Sequence, residues 1–212
     1  MAKTWPALPS VGALRPDSSM SLNTREALCA IPRGAISEIL GTSSSGRTAL
    51  AQSMIATATR AGEVSALVDC DDTFDPLSAR NAGAKLGQLL WIQCGHRLEA
   101  ALKATDMILH AGGFGLVMLD LCDVAPHALD RIPISYWHRF KRAIEPTPSI
   151  LLIVARRSIA RSCAARQFAL HQKRFCWNGE PPFETILRLE VQATLCKPMM
   201  AAPLELEVRT EV

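Results

Sequence analysis

The stretch "EILGTSSSGRTALA", residues Glu38 to Ala51, has the spacing of a phosphate-binding loop, with Gly41, four residues, then Gly46. The apolar run before it predicts a strand, and the residues after it have helical spacing. In such a loop the backbone N–H groups converge on a phosphate, and the following helix adds its positive dipole end. The position that usually holds Lys is Arg47, followed by Thr48. The sequence therefore predicts a nucleotide site with an altered cation.

The predicted phosphate contacts are loop residues with small or cationic side chains: Gly41, Ser44, Ser45, Gly46, Arg47 and Thr48. A second motif supports this interpretation. Asp120 ends the apolar run "LVMLD", where a carboxylate could hold Mg²⁺ through water beside a nucleotide. Thr48 and Asp120 are therefore the predicted magnesium residues, on the condition that a nucleotide binds. The alternative is a Ser/Gly turn with an unrelated aspartate at a strand end.

Apolar runs alternate with helical patterns along most of the chain. The runs are "AISEIL", "VSALVDC", "LLWIQC", "FGLVMLDL" and "SILLIVA". Near-continuous apolar strands separated by helices predict an α/β fold with a mostly parallel sheet flanked by helices. Near the end, "TILRLEVQATL" and "LELEVRTEV" alternate apolar and polar residues, which predicts antiparallel edge strands.

The predicted domain organisation is a flexible arm over residues 1–20 and a single domain over residues 21–212. The arm holds several prolines and Trp5, its one large apolar anchor. A short helix is predicted at "TREALCA", because Pro32 and Gly34 follow it. Farther along, Asp75 is a suitable N-cap for a helix that begins at Pro76.

Composition favours a cytoplasmic protein. No apolar run reaches the ~18 residues needed to span a bilayer, so no membrane partner is expected. Seven scattered cysteines without a C-x-x-C pair favour reduced thiols.

Positive charge is concentrated in residues 131–174, which hold ten Lys or Arg and one acid, Glu145. That segment carries +9, so the rest of the chain carries −6 of the total of +3. The excess predicts a surface for DNA or for an acidic protein. A solvated face paired with acids from elsewhere is the alternative. The predicted surface residues are Arg139, Lys141, Arg142, Arg156, Arg157, Arg161 and Arg166.

These motifs together resemble the RecA recombinase family. "IPRGAISEILGTSSSGRTALA" is similar to the family's first core strand and phosphate loop, and "LVMLDL" to its magnesium strand. The stretch beginning "AGEVSALVDCDD" and "CKPMMAAPLELEV" also match, so the resemblance covers roughly residues 23–208. It implies a RecA-like phosphate-loop core that binds ATP and Mg²⁺. It also implies that Asp71 stands where the family has its catalytic base, and that Asp75 contacts adenine.

Four departures from the family's pattern oppose efficient ATP hydrolysis. Arg47 replaces the loop Lys with a bulky planar fork. Asp71 is one methylene shorter than the family's Glu, and a displaced base loses rate. The resemblance puts Ser78 where the family stacks Tyr on adenine, and Arg156 near its phosphate-sensing Gln. ATP and Mg²⁺ therefore remain conditional cofactors, with Asp71 as the candidate base.

The DNA-binding loops of the family also look curtailed, since only 36 positions separate Asp120 from Arg156. A short RecA-like chain with an altered loop is similar to the ImuA group, accessory proteins of translesion synthesis. That resemblance implies protein contacts with an inactive relative of the Y-family polymerases (ImuB) and with an error-prone polymerase; RecA itself is a further candidate partner. A RecA-type, DNA-dependent ATPase and a SulA-like inhibitor of cell division are the alternatives.

Overall fold

The structure is a computed structural model that describes residues 20–23, 31–178, 185–197 and 204–209. Side-chain burial is described for residues 31–173 and 191–197. The predicted helix "TREALCA" and residues 1–19 of the predicted arm lie outside the described residues. Met20, the last residue assigned to that arm, is the first residue of a strand.

The nine described strands form one sheet in the order β1-β9-β8-β7-β2-β6-β5-β3-β4. Their bounds are β1 Met20–Asn23, β2 Ala35–Leu40, β3 Ser65–Asp69, β4 Leu89–Gln93, β5 Leu116–Asp120, β6 Ile150–Ala155, β7 Ala164–Asn178, β8 Thr185–Lys197 and β9 Leu204–Arg209. From β7 to β4 all neighbours are parallel. The predicted α/β class with a mostly parallel sheet is confirmed.

Helices cover both faces of the parallel part. They are α1 Arg47–Arg60, α2 Pro76–Asn81, α3 Leu98–Ala111, α4 Pro126–Asp130 and α5 Ile134–Ile144, with 3₁₀ turns at Leu86–Gln88 and Arg161–Cys163. On one face, Leu50 and Met54 of α1 pack in a cluster with alternate strand residues such as Leu152. On the other, Trp137 and Phe140 of α5 pack with the opposite set. Because both faces are covered by helices, the strands between them are mostly apolar.

The C-terminal part is antiparallel, as predicted, but its strands are not edges. β8 pairs antiparallel with β7 and with β9, and β1 then pairs parallel with β9. The edges of the sheet are therefore β1 and β4. The prediction of edge strands was wrong because it did not include β1, which pairs outside β9. It also did not include the long strand β7, whose mixture of polar and apolar residues has no clear alternation. Within the described residues, no helix has the length and apolarity to cross a bilayer.

Candidate functional site

The glycine loop joins the carboxyl end of β2 to the amino end of α1. The Gly41 N–H donates to the Ala155 carbonyl at 3.3 Å, which ties the loop to β6. A side chain at Gly41 would overlap the Ser45 hydroxyl and lie 3.1 Å from the Leu170 carbonyl. Gly46 caps α1 with φ of +88°, a left-handed conformation that favours glycine. Both glycines of the motif are therefore required by the loop's own geometry.

Two buried polar groups of this loop have no hydrogen-bond partner among the described residues. Arg47 is 5% exposed and Ser45 3% exposed, and neither Nη1 of Arg47 nor the Ser45 hydroxyl is bonded. The first N–H groups of any α-helix also lack partners within the helix. Buried unpaired donors are costly, so a cationic fork beside free N–H groups fits an anion such as a phosphate. The residues present therefore fit a phosphate group.

Asp120 lies at the carboxyl end of β5, and one strand, β6, separates β5 from the loop strand β2. Its Oδ1 accepts the Cys122 N–H at 2.9 Å. Burial raises the pKa of the Asp120 carboxyl, while the Cys122 hydrogen bond and the positive charge of Arg47 lower it. The structure thus brings Asp120 and Arg47 within electrostatic reach of each other. Thr48, in the first turn of α1, is exposed.

Asp71, the candidate base, follows β3 and faces a histidine that the sequence did not indicate. Its Oδ1 is 3.5 Å from Nδ1 of His96, which lies in the loop after β4. Burial raises the pKa of the Asp71 carboxyl, and hydrogen bonds from His96 and from the Asp123 backbone lower it. His96 could not be predicted from the sequence, because the loops after β3 and β4 are brought together only by the parallel pairing of these strands.

Asp75 caps α2, as predicted. Its two carboxylate oxygens accept the N–H groups of Leu77 at 3.0 Å and Ser78 at 3.1 Å. The Ser78 hydroxyl also donates to it. The Ser78 hydroxyl, followed by these N–H donors, lowers the pKa of the Asp75 carboxyl. These contacts account for Asp75 as a helix cap, and its contact with adenine stays a prediction.

Arg156 and Arg157 follow β6 and are bonded within the chain. Nε of Arg156 donates to the Cys122 carbonyl at 3.0 Å, and its Nη2 is 3.4 Å from Asp123. Arg157 lies 2.5 Å from Asp130 and donates to the Pro126 carbonyl at 2.8 Å. Arg156 therefore holds the segment after β5 in place. The same segment supplies the Cys122 N–H that bonds to Asp120.

Glu38, inside strand β2, is a fully buried carboxylate that the sequence analysis did not single out. It accepts hydrogen bonds from the segment after β6 and from β7. The four donors are the Ser158 hydroxyl, the N–H groups of Ile159 and Ala160, and the Gln167 amide, all at 2.7–2.8 Å. A charged residue in the mostly apolar run "AISEIL" was the available signal. This network fixes the short connection from β6 to β7.

The predicted basic surface separates into paired and unpaired cations. Arg139 lies 2.7 Å from Asp106 and stacks over Tyr136. With Arg156 and Arg157, three of the seven predicted surface cations have acidic partners. The other four have no acidic partner within 4.0 Å among the described residues: Lys141, Arg142, Arg161 and Arg166. The paired-face alternative therefore holds for Arg139, Arg156 and Arg157 only.

Comparison with known proteins agrees with this geometry. Residues 10–129 match the RecA N-terminal domain, which is more than half of the chain. The chain belongs to the RecA family. The match covers the glycine loop, the α2 cap and Asp120.

Individual RecA proteins match a shorter stretch. The RecA of Thermotoga maritima is 37% identical over 105 residues, and that of Clavibacter michiganensis subsp. michiganensis is 37% identical over 108 residues. RecA of Chloroflexus aggregans is 34% identical over 105 residues. These stretches cover 50–51% of this chain and 29–30% of the RecA chains. The chain thus matches about a third of the length of these relatives.

Among solved structures, the RadB recombinase has a similar fold. It superposes with a TM-score of 0.61 over 88% of this chain and 92% of RadB, with 14% sequence identity. At that identity the similarity establishes the RecA-like fold alone.

Proposed function

We propose that this chain is a RecA-like accessory protein of DNA-damage-induced translesion synthesis, of the ImuA type. It acts through contacts with an ImuB-like inactive polymerase relative and an error-prone polymerase, with RecA as a further candidate partner. In this proposal the nucleotide loop does not turn over ATP, and DNA contacts run through Arg161 and Arg166 of the basic segment.

One observation carries the proposal: the groups that turnover would need are bonded to the protein. Asp71 faces His96 and accepts the Asp123 N–H. Arg156 is bonded to the Cys122 carbonyl and paired with Asp123. A general base must reach the attacking water, and a carboxylate held by two other groups is poorly placed to do so.

A nucleotide would still be held by this chain's own groups. The backbone of Gly41–Thr48 and the Arg47 fork would hold the phosphates, and Thr48 with Asp120 would hold Mg²⁺. The metal ion, when bound, neutralises phosphate charge. The Arg47 guanidinium is a rigid planar fork of N–H donors, whereas a Lys ammonium is a compact and flexible charge. Arg47 therefore suits the binding of a phosphate better than the stabilisation of a phosphate during its transfer.

The biochemical test is ATP hydrolysis by the purified protein, with and without single-stranded DNA, beside an active RecA. We expect a rate at least about 10²-fold below that of RecA, because both the base and the loop cation are altered. Arg47→Lys should not restore it, since Asp71 and Arg156 keep their bonds. Robust turnover stimulated by DNA would contradict the proposal.

The cellular test is damage-induced mutation frequency in a strain that carries variants of this gene. Deleting the gene should reduce mutagenesis, whereas Arg47→Ala and Asp120→Asn should leave it within about twofold. Deleting residues 204–212 is not a clean test, because β9 is an internal strand. If the deletion strain mutates normally, the mutagenesis role is wrong. If Arg47→Ala behaves like the deletion, nucleotide chemistry is the function.

A RecA-type ATPase is the second candidate, and the unbonded Arg47 Nη1 and Ser45 hydroxyl favour it. Burying these donors unpaired costs stability, and a regularly bound phosphate would explain why they are kept. The same hydrolysis assay separates the two functions, since both allow nucleotide binding and only the second requires turnover.

A further inference from the structure

A cavity of about 510 Å³ lies between the carboxyl ends of α3 and α5. Leu109, Ala143 and Pro146 give it an apolar lining, and Arg139 and Arg142 lie at its rim. It is open to solvent, with Leu109 buried and Arg142 exposed. We call it the α3–α5 groove.

The α3–α5 groove is separate from the nucleotide loop. The chain passes from α3 into β5 and from α5 into β6, so the groove lies beside the amino ends of these parallel strands. The glycine loop follows the carboxyl end of β2, which is parallel to β6. The loop therefore lies at the other end of the strands from the groove. A ligand in the groove would therefore leave the nucleotide loop open.

The charges around the groove leave one cation uncommitted. Arg139 forms an ion pair with Asp106, with 2.7 Å between its Nε and the Asp106 Oδ1. His110 bonds to the Asp106 carbonyl at 2.8 Å and lies 3.7 Å from its Oδ1. Arg142 has no acidic partner within 4.0 Å among the described residues. Glu145, exposed after α5, is the one acid next in sequence to the groove lining.

We propose that the α3–α5 groove binds an acidic, apolar segment of a partner protein. A carboxylate of that segment pairs with Arg142, and a neighbouring apolar side chain covers Leu109 and Ala143. This deepens the proposed accessory function by naming the surface and the chemistry of its partner, and it rests on that function. Guanidinium groups bind carboxylates in a two-point fork, which gives the contact direction as well as charge.

A peptide suits this groove better than nucleic acid. Single-stranded nucleic acid is bound by aromatic platforms and a track of cations along its backbone. The described groove lining contains no Phe, Tyr or Trp, and Arg139 is already paired. The groove offers the unpaired guanidinium of Arg142 beside an apolar lining. This combination fits a peptide that places one apolar side chain in the groove and one carboxylate next to Arg142.

Two variants on α5 test the groove, and a neighbour on the same helix is the control. Arg142→Glu reverses the free charge, and Ala143→Trp fills the apolar floor. Lys141→Glu makes the same charge change one residue away, at an exposed position that does not line the groove. Circular dichroism and thermal melting of each variant confirm that it is folded.

The probe is a phage-displayed library of random 12-residue peptides, selected on the purified full chain. We expect the recovered peptides to contain Asp or Glu beside an apolar residue. Their binding should fall at least about tenfold with Arg142→Glu, in line with a charge-assisted contact, and with Ala143→Trp, but stay within about twofold with Lys141→Glu. A labelled (dT)₂₀ oligonucleotide, measured in parallel, should not compete with them.

Several results would overturn the proposal. Peptides without acidic preference, or no recovered peptides, would show that the groove does not recognise this chemistry. An equal loss of peptide binding with Lys141→Glu would mean that the peptides respond to the positive charge of the surface as a whole and not to Arg142. Competition by (dT)₂₀ would assign the surface to nucleic acid.

Failure here can be told apart from failure of the accessory function. If Arg142→Glu leaves damage-induced mutagenesis intact while deletion of the gene reduces it, the accessory function stands and its partner docks elsewhere. If deletion itself has no effect on mutagenesis, the accessory function fails whatever the peptides show.

Discussion

Two carboxylates of the same sheet, Glu38 in β2 and Asp120 at the end of β5, are treated in opposite ways by their surroundings. Glu38 accepts four hydrogen bonds and is completely buried. Asp120 accepts hydrogen bonds from Cys122 alone among the described residues, and burial raises the pKa of its carboxyl. Only one strand, β6, lies between their strands.

The difference separates a group that maintains the fold from one kept for a ligand. A buried carboxylate surrounded by donors stabilises the folded chain, since removing it leaves those donors unpaired. A buried carboxylate with few donors costs stability, and proteins keep such groups where a ligand completes them. Glu38 thus holds the β6–β7 connection, whereas Asp120 and Arg47 are the groups that the proposed phosphate site would use.

The largest expected effect is on Glu38. Glu38→Ala removes the acceptor for four donors, so the free energy of unfolding should fall by on the order of 4 kcal/mol. Urea denaturation followed by circular dichroism measures it. Glu38→Gln keeps one acceptor oxygen but turns an amide NH₂ toward donors, so its loss should be intermediate. A loss below about 1 kcal/mol for Glu38→Ala would mean that water replaces the carboxylate.

A smaller effect of opposite sign is expected at the end of β5. Asp120→Asn keeps an acceptor for the Cys122 N–H and removes the poorly solvated charge. It should therefore raise the free energy of unfolding at pH 7 by on the order of 1 kcal/mol. It should also weaken the binding of Mg²⁺ with a nucleotide, which isothermal titration calorimetry can measure.

The effect of Asp120→Asn should depend on pH. Because the folded pKa of Asp120 is raised, its destabilising charge is present at neutral pH and is removed as the pH falls through that pKa. The variant's advantage should shrink accordingly in denaturation at decreasing pH. Asp69, the register neighbour of Asp120, is the control. It accepts the Phe74 N–H at 2.9 Å and the Trp91 indole N–H at 3.2 Å, so Asp69→Asn should lose stability.

The parallel core and the glycine loop could be predicted from the sequence because their signals are local. Apolar runs between helical patterns define β2 to β6, and the spacing of Gly41 and Gly46 defines the loop. Asp75 was identified as a cap from its place before Pro76. In each case the residues that cause the structure are neighbours in the chain.

The contacts that distinguish this site could not be predicted, because they join distant segments. Glu38 meets Ile159 and Ala160 about 120 positions away, and Arg156 meets Cys122 across 34 positions. The pairing of Asp71 with His96 requires β3 and β4 to be neighbours. Strand β1 was not predicted, because four residues beside β9 carry too weak a pattern.

The smallest expected effect is a change in the alkylation rate of the thiols beside Asp120, with no change in the free energy of unfolding. Burial raises the pKa of Cys70 to about 12, with nearby carboxylates adding to it. Burial, followed by the charge of Asp120, also raises the pKa of Cys122. The thiolate is the reactive form, so at pH 8 only about one Cys70 in 10⁴ would be reactive even if reagent reached it. Cys196 is exposed.

Alkylation with iodoacetamide at pH 8, followed by peptide mass spectrometry, should therefore label Cys196 first and leave Cys70 and Cys122 unlabelled over the same time. Labelling in denaturant, where burial and Asp120 no longer act, should make all three equal. Asp120→Asn removes one of the charges that suppress the Cys122 thiolate, yet burial is the larger cause. The variant should therefore speed the labelling of Cys122 only slightly. Labelling of native Cys122 as fast as Cys196 would mean that the edge of the sheet around Asp120 opens to solvent, and Asp120 could not then be the desolvated carboxylate that sets it apart from Glu38.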